Sequence, residues 1–222
     1  MRLNKRTRSI LLSGMIGVMT ISTAFPALAA TGWTTVGDKT YYYYDNGQMA
    51  TGLLALNDTY YYFLDDGSMV KGWLKLDNDY YYMQNDGSLS TGWVNIGSDW
   101  YYMRPDSGKC VLNEAKEIDG SWYFLKSDGK RLSGWLKKDG GFRYMNPEDN
   151  GRMLVNTSKV IDGVTYAFGP DGVCTTGVQV ANYYDADAVA EQMNNANNTD
   201  NTTKTETDEY GKNNVIVAGD RR

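Results

Sequence analysis

From Thr31 onward a unit of twenty residues repeats, each copy opening on Gly-Trp or a variant and carrying an aromatic cluster ahead of an Asp-Gly or Asn-Gly pair. Thr31–Ala50, Thr51–Val70, Lys71–Ser90 and Thr91–Cys110 keep a strict period, and looser copies follow at about Val111–Ser133, Gly134–Leu154 and Val155–Cys174. Such a chain does not build one continuous globular core. Self-similarity at this period describes an array, in which each unit buries its apolar face only against its neighbours.

Within the copy Lys71–Ser90, two runs rich in aromatic and aliphatic residues, Trp73–Leu76 and Tyr80–Met83, are separated by Asp/Asn clusters and closed by Asp86-Gly87. That is a strand, turn, strand, turn pattern. The pairs Asn46-Gly47, Asp66-Gly67, Asp86-Gly87, Asp128-Gly129 and Asp171-Gly172 supply the positive φ angles that tight turns need. Each copy is therefore predicted to be a β-hairpin with a connecting turn. A lone hairpin is barely stable in water, so the hairpins must stack.

Counting back from the turn glycine aligns Tyr60–Phe63, Tyr80–Met83, Trp100–Met103 and Trp122–Leu125 as equivalent clusters of four. Residues two apart on a strand share a face. The degenerate last copy, Thr165–Phe168, keeps aromatics only at the second and fourth places, which points to those as core positions and to the first and third as ligand-facing. Copy six, with Arg143 at a second place, breaks the other way.

The segment before the array reads differently. Arg2, Lys5, Arg6 and Arg8 precede an apolar run from Ile10 to Ala24, and Ala27-Leu28-Ala29 resembles a cleavage site; this is the pattern of a secretory signal peptide over residues 1–29. The run is short for a membrane span, which needs about 20 residues. Its removal takes four of the 22 basic residues and none of the 27 acidic ones, moving the net charge from −5 to −9. A nucleic-acid binder shows a basic stripe instead, so no nucleic-acid partner is expected.

The chain has no histidine, which excludes Ser-His-Asp and Cys-His catalysis and most zinc sites. Recurrent acidic pairs such as Asp65-Asp66 sit where turns favour Asp, and Asp185-Ala186-Asp187 lacks the glycine and glutamate of a calcium loop. No catalytic residue, metal or cofactor is predicted, and the chain is read as non-enzymatic, with no room for an enzyme domain. Export would permit Cys110 and Cys174 to pair, yet they hold equivalent places three repeats apart, beyond disulfide reach in a regular array. After the array (residues 30–177), residues 178–222 are Asn/Thr/Asp/Glu-rich and read as a mostly disordered polar tail, with a short helix at Asp185–Met193 and a strand at Val215–Val217.

Thr31–Trp33, Lys71–Trp73, Thr91–Trp93, Trp100–Tyr102 and Asp66–Met69 together resemble the cell-wall-binding, or choline-binding, repeats of Gram-positive surface proteins, over roughly Thr31–Gly177. The resemblance implies an all-β solenoid of stacked hairpins, wound as a left-handed superhelix, with ligand cages between consecutive hairpins. Carried over by position, it implies ligand sites at Trp73 and Tyr80 with Tyr102, at Trp93 and Trp100 with Phe124, and a poorer one at Trp33 with Tyr62, where Thr40 holds the first cluster place. Leu53 replaces the second tryptophan, and Asn113-Glu114 stand where the fifth copy should have Gly-Trp.

The physical reason is independent of family: a quaternary ammonium offers no hydrogen-bond donor and is held by π faces, each worth about 0.5–2 kcal/mol. Several weak cages on one rod gain avidity against a polymer that displays many such groups. The implied partners are choline groups of teichoic or lipoteichoic acid at the cell wall or surface. Two other readings stand beside this one. Wall glucan would stack on the same faces, and a structural or protein-interaction array would use them as core. The end copies expose surface on which a homodimer would form.

Overall fold

A computed structural model describes residues 31–178, 180–199 and 216–217; the expected signal peptide lies outside the described residues. Among them are seven antiparallel hairpins, one per copy. Hairpin 1 pairs Gly32–Val36 with Lys39–Tyr43, hairpin 2 Gly52–Leu56 with Thr59–Phe63, hairpin 3 Gly72–Leu76 with Asp79–Met83, and hairpin 4 Gly92–Ile96 with Asp99–Met103. Hairpin 5 pairs Glu114–Ile118 with Ser121–Leu125, hairpin 6 Gly134–Lys138 with Gly141–Asn146, and hairpin 7 Thr157–Ile161 with Val164–Phe168. The all-β hairpin array expected from the repeat is the observed fold.

Two-residue loops close the hairpins. In hairpins 2, 5, 6 and 7 both loop residues have positive φ (Asn57-Asp58, Asp119-Gly120, Asp139-Gly140 and Asp162-Gly163), the loop whose twist matches that of the paired strands. The opening glycine of a copy is also left-handed, as at Gly72 with φ +82°. Where that glycine is missing, the residue before it takes the conformation, Asn113 (φ 45°) in copy five and Asn156 (φ 47°) in copy seven. The pairing therefore places Glu114 at the glycine position and Ala115 at the tryptophan position, opposite Phe124. This moves the predicted Asn113-Glu114 alignment by one residue.

The chain divides into two compact units. The first holds hairpins 1–3, Met103–Cys110 and the strand Ile216–Val217, which pairs in parallel with Leu74-Lys75. Its core is two clusters, Ala50, Leu54 and Phe63, then Val70, Leu74, Tyr81 and Met83. The second unit holds Trp93–Tyr102 and everything from Val111 to Lys212.

In both units a backbone N–H after the connecting turn of one hairpin bonds the first-place carbonyl of the hairpin before it: Met69 to Thr40 (2.8 Å), Leu89 to Tyr60 (2.8 Å), Cys110 to Tyr80, Arg131 to Trp100 and Cys174 to Phe142 (2.7 Å each). This spacing sets which side chain closes each junction. Neither Cys110 nor Cys174 is in a disulfide.

The expected short helix runs Ala186–Thr199, preceded by Tyr184–Asp185 paired in parallel with Leu136-Lys137. The Asp187 carboxylate accepts from the Asp139 and Gly140 amides at 2.9 and 3.2 Å, and Lys137 Nζ lies 2.9 Å from Asp185. Hairpin 6 thus provides the helix and the strand before it with partners.

Candidate aromatic sites

Each Gly-Trp tryptophan stands opposite the third residue of its own hairpin's cluster, and the two rings meet edge-on. Trp33 and Tyr42 are 5.2 Å apart between centroids, Trp73 and Tyr82 5.3 Å, Trp93 and Tyr102 5.1 Å, and Trp135 and Tyr144 5.0 Å. The next hairpin contributes its second-place tyrosine: Tyr61 at 4.8 Å from Trp33, Tyr123 at 4.9 Å from Trp93 and Tyr166 at 4.8 Å from Trp135.

These distances correct the third wall expected at Trp33 and at Trp93. Tyr62 lies opposite Leu53 in its own hairpin, so Trp33 is completed by Tyr61. Within its own hairpin Tyr102 stands against Trp93, and Tyr82 stands against Trp73. Phe124 is wholly buried among Leu132, Leu136, Met145 and Ala186; Tyr123, its neighbour on the opposite strand face, takes the place at Trp93. The reason is register. The third-place residue is directly opposite the tryptophan within one hairpin, and the interhairpin offset presents the second-place residue to it.

The first-place residues divide. Tyr80 is 1 % exposed, opposite Lys75, whose Nζ lies 5.3 Å over its ring, and Trp73 is also buried. Trp100 is 39 % exposed and meets Trp93 at 85° with centroids 6.4 Å apart, making a right-angled corner. Phe142 makes the same corner with Trp135 (83°, 6.5 Å), but Tyr183 lies on it at 5.2 Å. Trp33, 43 % exposed, has an open face and no first-place ring beside it, as Thr40 predicted. Tyr81, one place further on, is a core residue whose hydroxyl is pushed up to about 12 by burial and by Asp79 and Asp77.

Two residues at these sites escaped the sequence reading. Arg131 holds the closing place that Met69, Leu89, Cys110 and Cys174 hold elsewhere, and its guanidinium carbon is 5.8 Å from the centroids of both Trp93 and Trp100. Burial lowers its pKa from the usual arginine value. A charge in an otherwise uncharged column was the available signal. Tyr184, from the tail, sets its ring 5.6 Å from Phe124 and bonds Ser127 N and Asn113 Oδ1 at 2.9 and 3.2 Å. It packs with Ala115 in the cluster where the fifth copy lacks a tryptophan.

Hairpin repeats carrying aromatic corners at their junctions define a class of β-repeat protein. The chain belongs to the choline-binding repeat family, whose model matches residues 30–69, 51–89, 70–114 and 112–158. It is similar to the solved structure of CbpJ from Streptococcus pneumoniae TIGR4 (26 % identity, TM-score 0.62, 68 % of this chain and 55 % of that one). It is also similar to choline binding protein F of Streptococcus pneumoniae, solved in the presence of a peptidoglycan analogue (32 %, TM-score 0.59, 66 % and 47 %). CbpF in complex with ipratropium is a further match (30 %, TM-score 0.57, 66 % and 49 %). The chain spans about half the length of these chains. No curated protein matches it. No helix among the described residues is long and apolar enough to cross a membrane.

Proposed function

We propose that this chain is a secreted cell-wall-binding protein that attaches non-covalently to choline-bearing teichoic or lipoteichoic acid through the aromatic faces at its hairpin junctions. The observation that carries this reading is the Trp93–Trp100 corner. Two indoles at a right angle share one cationic group at 5.8 Å from each centroid, the distance at which a ring quadrupole attracts a cation. The same walls, offered to a trimethylammonium, satisfy a cation that no hydrogen bond recognises. The CbpF complex with ipratropium, itself a quaternary ammonium, supports the ligand class.

The sites proposed are Trp33 with Tyr42 and Tyr61, and the Trp93–Trp100 corner; Trp73 and Tyr80, both buried, would need to part before a ligand entered between them. One observation favours glucan instead. Trp122 is 41 % exposed with no ring against it among the described residues, a flat face suited to stacking on sugar. Fluorescence titration of the full chain with choline chloride, matched against sodium chloride and an isomalto-oligosaccharide, separates the two. A saturable choline response weakened by Trp33→Ala supports the proposal, and silence to choline with a sugar response overturns it in favour of glucan.

A further inference from the structure

The closing residue of each junction follows a fixed place in the repeat, the one whose amide bonds the first-place carbonyl of the preceding hairpin. Of the five such bonds that lie outside strands among the described residues, four come from a neutral residue: Met69, Leu89, Cys110 or Cys174. The fifth comes from Arg131, tethered by its backbone bond to Trp100 O at 2.7 Å, with its guanidinium set against both indoles. Among the described residues no carboxylate pairs with Arg131. The neighbouring Lys130 does have such a partner, Asp99 at 2.9 Å. Among the described residues no ion pair therefore draws the guanidinium away from the rings.

We propose that Arg131 is a resident cation that occupies the Trp93–Trp100 corner and makes it the junction at which a quaternary ammonium binds only by displacing the protein's own side chain. This rests on the functional reading above and deepens it, since Arg131 becomes the residue that sets how many junctions are open to ligand. A tethered group needs no concentration to be present, so it competes as an intramolecular ligand does. The two indoles contribute about the same attraction to either cation. A free ammonium must therefore also overcome the advantage of the tether.

The test compares the full-length wild type with Arg131→Leu, which installs the side chain found at Leu89, using isothermal titration with choline chloride and tryptophan emission. Circular dichroism melts verify that the variant folds. Arg131→Leu is expected to add one saturable choline site, about tenfold or more tighter than any event at that corner in the wild type. Adding Trp100→Ala should remove it. In the wild type, ring currents from both indoles should displace the Arg131 side-chain NMR resonances, and choline should return them toward free values. If the wild type binds choline and Arg131→Leu binds it with the same stoichiometry and midpoint, the proposal is overturned and the wall-binding reading stands. If neither binds choline, both are overturned. Undisplaced Arg131 resonances in the wild type overturn the proposal by themselves.

Discussion

Tyr184 reaches from the tail into the place a fifth tryptophan would have filled, and its removal should loosen that region in two separable steps. Tyr184→Phe keeps the ring against Phe124 but deletes the oxygen that accepts from Ser127 N at 2.9 Å and donates to Asn113 at 3.2 Å. A half-buried amide left without its partner costs about 1–1.5 kcal/mol. Tyr184→Ala removes the ring as well. A tyrosine buries about 200 Å² when fully covered, so half that area at about 25 cal/mol per Å² adds roughly 2.5 kcal/mol. The sum, about 3–4 kcal/mol, corresponds to more than a hundredfold rise in the open population. Hydrogen exchange at the Ser127 amide and along the Ala186–Thr199 helix reads this directly. Exchange in Tyr184→Ala within about threefold of wild type would show that the tail segment is held by its other contacts and that the ring does not replace the missing tryptophan.

Glycine at the connecting turn is needed twice over: Gly87 has φ +84° and a Cβ there would stand 2.2 Å from Met69 Sδ. Gly87→Ala should cost about 2–3 kcal/mol in urea unfolding, against about 1–2 kcal/mol for Gly72→Ala, whose φ is equally positive but whose surroundings are open. Phe124→Ala empties a wholly buried site and should cost about 3–5 kcal/mol, while leaving any choline response at Trp33 unchanged in the fluorescence titration. The Lys39 ammonium, 2.8 Å away, and the Ser68 hydroxyl and amide hold the Asp66 carboxyl down at about 2, below its ordinary 3.8. Its contribution is present above the ordinary value and is lost as pH falls through about 2; the melting-temperature gap between wild type and Asp66→Asn should be small at pH 5, since both partners are half exposed, and should narrow as pH falls toward and below about 2.

Hairpins, their order and their turns were legible because they are local. Two aromatic runs around an Asn-Asp or Asp-Gly pair specify a hairpin whatever the neighbours do. The expected split of second-place core residues from first- and third-place ligand-facing ones was legible only in part: Tyr81 and Tyr101 are buried, but so are Tyr80 and Phe124 at first and third places, and second-place Tyr61 and Tyr123 stand against tryptophans. The composition of each aromatic site was not legible. Whether Trp33 meets Tyr61 or Tyr62 depends on a one-residue offset between hairpins, and that offset is set by the backbone bond from Met69 to Thr40, which no pattern within a copy encodes. Tyr184 was illegible for a different reason. It occurs outside the array, in a segment with no second copy against which to align it.

The charge balance makes a last prediction that separates cage binding from ordinary anion binding. The chain carries −5 overall, and −9 without residues 1–29, while a teichoic acid backbone is a phosphodiester polyanion. Long-range forces between the two are repulsive, and salt screens them over a Debye length of about 10 Å at 0.1 M. Contact between an ammonium and an indole face is shorter-ranged and is screened far less. Raising sodium chloride from about 50 to about 500 mM should therefore leave retention on a choline-bearing polymer unchanged or strengthened, and free choline should elute it at either salt. A protein held by phosphate contacts behaves oppositely, because bound counterions are released on association and affinity falls steeply with salt. A steep fall here would place attachment on exposed Lys and Arg side chains and remove the aromatic junctions from the binding mechanism.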